Sequence, residues 1–210
     1  LRSILRQKEN IHYPDSRKAK RKYDSVKYSC PEWLIQLWEN AYGTEKMHAL
    51  LESLSAHAPV YIRVNETRIT TQDLIKKLSE ENVLSEEVDW LPGALELKST
   101  GSIPMLNAYQ EGLFHVQDLS SQLCCQLLAP SANSCVIDVC AAPGGKSFTI
   151  AELMKNSGTV YSFDKYKGKV GLIRQGAERL GLSIVQAHLR DATKISDQLQ
   201  PADFVLCDAP

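Results

Sequence analysis

The stretch CVIDVCAAPGGKSFTIAELM, residues 135–154, holds the densest set of groups that could do chemistry. An apolar strand leads into a turn of small residues, Cys140, Ala141, Ala142, Pro143, Gly144, Gly145 and Lys146, and a helix begins at once. Small residues let a ligand approach the backbone, and the free amides of a helix N-terminus attract an anion such as a carboxylate. Three acids fall where further strands end: Asp164, 26 residues after Asp138, then Asp191 and Asp208. In an open parallel sheet such ends share one edge, and ligands bind there. Asp164 is placed to accept from both ribose hydroxyls, and Asp191 to reach an adenine amino group. A nucleoside carrying a carboxylate, as S-adenosyl-L-methionine does, suits this set. The plainer reading makes the acids independent caps and turn residues.

A phosphate-binding loop is the rival. Residues 140–147, CAAPGGKS, end like the G-x-x-x-x-G-K-[ST] motif, and DFVLCD resembles a strand with a magnesium-holding acid. Cys140 replaces the first glycine, however, and Pro143 removes an amide from the loop that must cradle phosphate. Asp164 has no task in that scheme.

The elements that must position these residues alternate. After Gly112, Asp118 caps a helix through Leu127, and strands at 135–140, 159–164, 183–189 and 203–208 alternate with helices at 146–155 and 166–180. This pattern defines a parallel α/β sheet with right-handed crossovers. Four strands make a thin sheet, so 113–210 is expected to be the N-terminal part of an incomplete Rossmann-like domain, with exposed edges and poor solubility. Residues 29–112 read as a small α+β domain: two helices after Pro31 and Thr44, strands at 59–65 and 94–99, and a helix capped by Thr70 or Thr71. Residues 1–28 read as a basic linker, with Leu1, Ile4 and Leu5 ending a helix.

The chain of 210 residues has net charge −1, but residues 1–30 hold nine Lys/Arg and three Asp/Glu. Within this arm Arg17, Lys18, Lys20, Arg21 and Lys22 are candidate phosphate contacts, or a solvated linker. The six cysteines form no C-x-x-C pair, so neither a zinc site nor a disulfide scaffold is supported, and no run of 18 apolar residues occurs. A cytoplasmic monomer without membrane contact is expected.

DVCAAPGGKS closely resembles the cofactor motif of the RNA cytosine-C5 methyltransferases. YSCPEWL (28–34), RVN (63–65), EGLFHVQDLSSQL (111–123), RLGL (179–182) and DAP (208–210) resemble its bacterial Sun/Fmu branch. The resemblance implies a class I methyltransferase sheet binding S-adenosyl-L-methionine through Cys140–Lys146, Asp164, Asp191 and Asp208. It also implies an RRM-like region over 29–112, a NusB-like helical domain upstream, and 16S ribosomal RNA as substrate. The helix after Asp164 departs from the family in having Lys169 for Arg, and Gly168, Gly171 and Gly176 predict a weak helix.

The family uses a thiolate that attacks carbon 6 of a flipped cytosine, so that carbon 5 can accept the methyl group. Asp208 would touch the base, with Lys146 adding positive charge. The nucleophilic cysteine is expected beyond Pro210. Cys30, Cys124, Cys125 and Cys207 read as structural, with Cys207 buried, and Cys140 as part of the cofactor turn. Arg63 and Asn65 either touch RNA or finish a strand and turn. His115, Trp33 and Trp38 read as packing residues. The alternatives to an enzyme fragment are a non-catalytic RNA- and cofactor-binding module and the phosphate-loop hydrolase.

Overall fold

A computed structural model describes Arg6, Asn10 and residues 13–55, 58–99, 101–194 and 201–209. The expected helix end at Leu1, Ile4 and Leu5, and Pro210 of the DAP motif, lie outside the described residues. The chain forms two compact units, one ending at Ala58 and the other beginning at Pro59. No described helix is long and apolar enough to cross a membrane.

The first unit packs α1 (Lys20–Tyr28), α2 (Glu32–Tyr42) and α3 (Thr44–Ser55) around Cys30, Ile35, Met47 and Leu51. Helix α1 corrects the expectation of an aperiodic linker over 1–28. Its Asp24 is buried with Oδ2 3.7 Å from His48 Nε2 of α3, and Ser29 ends the helix with φ 51°. The buried side of α2 also departs from the expectation that Trp33 and Trp38 both pack in the core. Ile35 is fully buried, Trp38 packs on the core, and Trp33 is 66% exposed rather than core.

The second unit holds two sheets. The first contains β1 (Val60–Val64), β2 (Leu84–Glu87), β3 (Ala94–Ser99) and β4 (Phe114–Val116), with α4 (Thr71–Glu80) after β1 and α5 (Asn107–Gln110) before β4. Its antiparallel order β2-β3-β1-β4 is that of a ferredoxin-like βαββαβ layer. Thr70 caps α4, its Oγ1 accepting from Asp73 N at 3.2 Å. Side chains alternate across the pleat. Ile62, Val64, Leu95, Leu97 and Phe114 therefore pack with Leu74 and Leu78 of α4, while Arg63 and His115 point to the opposite face, toward Glu152. Strand β4 was not legible as a strand. It carries the first sheet past Gly112, the expected boundary, to Val116.

The second sheet is parallel, in the order β7-β6-β5-β8: β5 (Cys135–Asp138), β6 (Thr159–Asp164), β7 (Val185–Leu189) and β8 (Phe204–Leu206). Helices α6 (Leu119–Leu128), α7 (Gly145–Leu153) and α8 (Lys167–Leu180) belong to the same half. Asp118 caps α6 by accepting from Ser120 N at 3.1 Å. The core is Val136, Phe148, Ile150, Met154, Val160, Ile173 and their neighbours. Glycine-rich α8 runs its full 14 residues. One of its glycines is required, because a Cβ on Gly176 would stand 2.4 Å from the Phe148 ring.

Candidate functional site

Each strand of the parallel sheet delivers its carboxyl end to one groove, a cavity of about 610 Å³. Val139, Cys140 and Ala142 line it from the β5–α7 turn, Asp164 to Tyr166 and Lys169 from beyond β6, Arg190 to Thr193 from beyond β7, and Asp208 and Ala209 from beyond β8. The expected residues Cys140, Ala142, Asp164, Asp191 and Asp208 thus share one wall-to-wall space. Ala141 is buried instead, its amide donating to Phe163 O at 2.8 Å, which ties the turn to the end of β6. Pro143 and Gly145 face a separate cavity on the other side of the loop. Gly144 has φ 114° and donates to Ala141 O at 2.7 Å; a Cβ there would meet Phe148 at 2.3 Å. The turn is therefore built of small residues because ring and backbone fill the space behind it.

Lys146, in the first turn of α7, reaches Asp208 Oδ2 at 2.6 Å and donates to Ser121 Oγ at 3.1 Å. Burial pulls its pKa down, but the hydrogen bond and charge of Asp208 outweigh this and raise it. Asp164 is nearly buried: Oδ1 accepts from Tyr166 N at 2.9 Å, and Lys169 Nζ lies 4.0 Å from Oδ2. Asp191 accepts from Thr193 Oγ1 at 2.7 Å and Thr193 N at 3.1 Å, and pairs with Lys165 Nζ at 3.2 Å. These hydrogen bonds, the Thr193 side chain first, hold its carboxyl at about 2.

Beneath the turn runs a buried chain that the residue types alone did not announce. Ser162 Oγ donates to Ser147 Oγ at 2.8 Å, and Ser147 Oγ to Asp138 Oδ2 at 2.7 Å, while the Cys140 amide also favours the Asp138 carboxylate. Burial pushes the Asp138 carboxyl up to about 6, against the Ser147 hydrogen bond. An acid ending an apolar strand was the only available signal. Tyr166, Lys165 and Thr193 were also missed as wall residues, because loop side chains carry no periodicity.

The cysteines divide by burial. Cys125 is fully buried, with its thiol pushed up to about 12 by burial and by Cys124. Burial also raises Cys135 and Cys140, the latter with help from Cys207. Cys207 is exposed rather than buried, since β8 is the outermost strand of the described sheet.

Arg63 and Asn65 do not face a surface ligand. Arg63 is 1% exposed, donates from Nη1 to Pro92 O at 2.6 Å and from Nη2 to Glu66 at 2.9 Å, and places Nε 3.5 Å from Glu152 Oε2 of α7. Asn65 is fully buried and donates to Gly112 O and Leu180 O, both at 2.9 Å. Both side chains join the first sheet to the second. Arg17, Lys18, Lys20, Arg21 and Lys22 are exposed, and Arg21 pairs with Glu39 at 3.0 Å.

A parallel sheet in this order, with acids at three successive strand ends around a small-residue turn, defines a class I methyltransferase domain, here preceded by a ferredoxin-like layer. The chain belongs to the RsmB/F family of 16S rRNA methyltransferases. The profile of the RsmF/B-like ferredoxin-like domain matches residues 30–104, and that of 16S rRNA methyltransferase RsmB/F matches 125–210. The chain is 37% identical over 212 residues to the probable ribosomal RNA small subunit methyltransferase B of Bacillus subtilis, covering 100% of this chain and 47% of that protein. It spans about half the length of the curated relatives it matches. Its fold is similar to the crystal structure of PH0851, with a TM-score of 0.86 and 31% identity over 95% of this chain and 45% of that one. It is also similar to NSun6 from Pyrococcus horikoshii with SFG, with a TM-score of 0.79 and 22% identity, covering 86% and 70%.

Proposed function

We propose that the chain binds S-adenosyl-L-methionine in the groove over β5 to β8 and serves an enzyme that methylates carbon 5 of a cytosine in 16S ribosomal RNA. The observation that carries this reading is the convergence of Cys140, Asp164, Asp191 and Asp208 on one cavity of about 610 Å³. The donor set fits the cofactor. Asp164 Oδ2 accepts no hydrogen bond among the described residues, which suits a ribose hydroxyl. The α7 amides, free as at any helix start, suit a carboxylate. Ala142 and Ala209 leave room for the ligand. When bound, the cofactor supplies an electrophilic methyl group on a sulfonium.

The chain's residues then have distinct tasks. Lys169 and Tyr166 flank the ribose acid. Asp191, held ionised down to about pH 2, accepts from an amino group. Asp208, aligned by Lys146, holds the edge of a flipped base against the groove. Carbon 5 becomes nucleophilic only after a thiolate adds at carbon 6. The raised thiols of Cys125, Cys135 and Cys140 make these three poor candidates for that thiolate.

Transfer of tritium from the labelled methyl donor by the intact protein tests the substrate. Label in 16S ribosomal RNA at bisulfite-resistant cytosines is expected. Label in protein or in a small molecule would overturn it.

A further inference from the structure

A second cavity, of about 380 Å³, opens on the far side of the cofactor turn, with Pro143 and Gly145 in its wall. Its most ordered feature is a stack of Arg179 on Tyr109. The guanidinium carbon lies 3.8 Å above the ring centroid, and Nη1 donates to Tyr109 O at 2.5 Å and Phe114 O at 3.1 Å. The guanidinium is thereby held flat, while Nη2 and Nε have no partner among the described residues. Two exposed apolar side chains, Leu172 at 52% and Val116 at 49%, also line the cavity. Gln175 also lines the cavity, is exposed, and has no hydrogen-bond partner among the described residues.

We propose that this slot holds one unpaired nucleotide of the RNA, its base stacked on the Arg179 guanidinium and packed against Leu172, with Gln175 at the base edge. This rests on the RNA reading given under Proposed function. The chemistry favours a nucleotide in three ways. Unpaired bases stack on arginine planes as well as on aromatic rings. An amide offers a donor and an acceptor together, as a base edge does. The remaining guanidinium donors suit a phosphate or a ring nitrogen. Because the cofactor turn forms the shared wall, the bound nucleotide is a neighbour of the reacting base rather than the reacting base itself.

Fluorescence anisotropy with a labelled, unstructured twelve-nucleotide segment of 16S ribosomal RNA tests the slot, using the same segment as a duplex for comparison. Leu172 and Gln175 are exposed on α8, so Leu172→Ala, Gln175→Ala and Gln175→Glu should leave the fold intact. S-adenosylhomocysteine binding in the same samples reports on the cofactor groove. The single strand is expected to bind more tightly than the duplex. Each variant should lose about tenfold in RNA affinity, the carboxylate most, with S-adenosylhomocysteine affinity unchanged. RNA affinity unchanged in all three variants, preference for the duplex, or no RNA binding would overturn the slot. If S-adenosylhomocysteine binds in any of those cases, only the slot fails; if it does not bind either, the cofactor reading fails with it.

Discussion

Arg63 and Glu152 meet inside the second unit, Nε to Oε2 at 3.5 Å, each side chain 1% exposed. Arg63 comes from β1 of the antiparallel sheet and Glu152 from α7, the helix that starts at the cofactor turn. His115 Nδ1 approaches the other Glu152 oxygen at 3.4 Å, and Thr149 donates to Gln117 at 2.6 Å alongside. Neither Glu152 oxygen attains hydrogen-bond geometry, so charge attraction has to offset much of the burial cost.

The ferredoxin-like layer is thus a structural support of the cofactor helix. Arg63→Ala leaves Glu152 buried without its guanidinium partner, and should cost roughly 3–5 kcal/mol of stability. Replacing both partners with apolar residues of similar volume should cost much less than either single change. Urea denaturation of the double-mutant cycle measures this; additive losses would count against a coupled pair.

Two glycines of α8 should respond with opposite sign. A Cβ on Gly176 meets Phe148 at 2.4 Å, whereas one on Gly171 meets nothing within 4 Å. Gly176→Ala should destabilise by about 1–3 kcal/mol through overpacking, and Gly171→Ala should stabilise by up to about 1 kcal/mol through helix propensity. Thermal melts read the contrast directly.

The Asp138 carboxyl, raised to about 6 from 3.8, gives a pH signature. Its folded pKa lies above its unfolded one, so its contribution is most favourable below pH 4. That contribution is lost as pH rises through about 6, a difference of about 3 kcal/mol. Asp138→Asn should abolish this slope and be the more stable protein at pH 7. Urea midpoints between pH 3.5 and 7 test it, and parallel curves for the two proteins would refute it.

Lys146 and Asp208 are half open to water, with side-chain exposures of 21% and 58%. Lys146→Met should therefore change stability by less than about 1 kcal/mol, yet lower methyl transfer by the intact protein by at least tenfold. Loss of folding in place of activity would make the pair structural.

How much of this was legible in the sequence follows from what each feature depends on. Acids at strand ends are readable because a parallel sheet fixes which end they occupy, so Asp164, Asp191 and Asp208 were found together. The fate of Arg63 was not readable. Alternation puts it opposite Ile62 and Val64, but only tertiary packing decides that α7 covers that face too. Trp33 failed for the converse reason: it lies on an amphipathic stripe whose centre is set by α1 and α3, and α1 itself was hidden in a charged run. Strand β4, with three residues, is too short to show alternation.

The central claim is that the groove of Cys140, Asp164, Asp191 and Asp208 binds S-adenosyl-L-methionine. Isothermal titration of the chain with S-adenosylhomocysteine, and separately with ATP, tests it most directly. Saturable one-to-one binding of S-adenosylhomocysteine is expected, weakened about tenfold to a hundredfold by Asp164→Ala through loss of charged hydrogen bonds to the ribose, with no comparable ATP signal. Tight ATP binding without an S-adenosylhomocysteine signal, or S-adenosylhomocysteine binding indifferent to Asp164→Ala, would contradict the account.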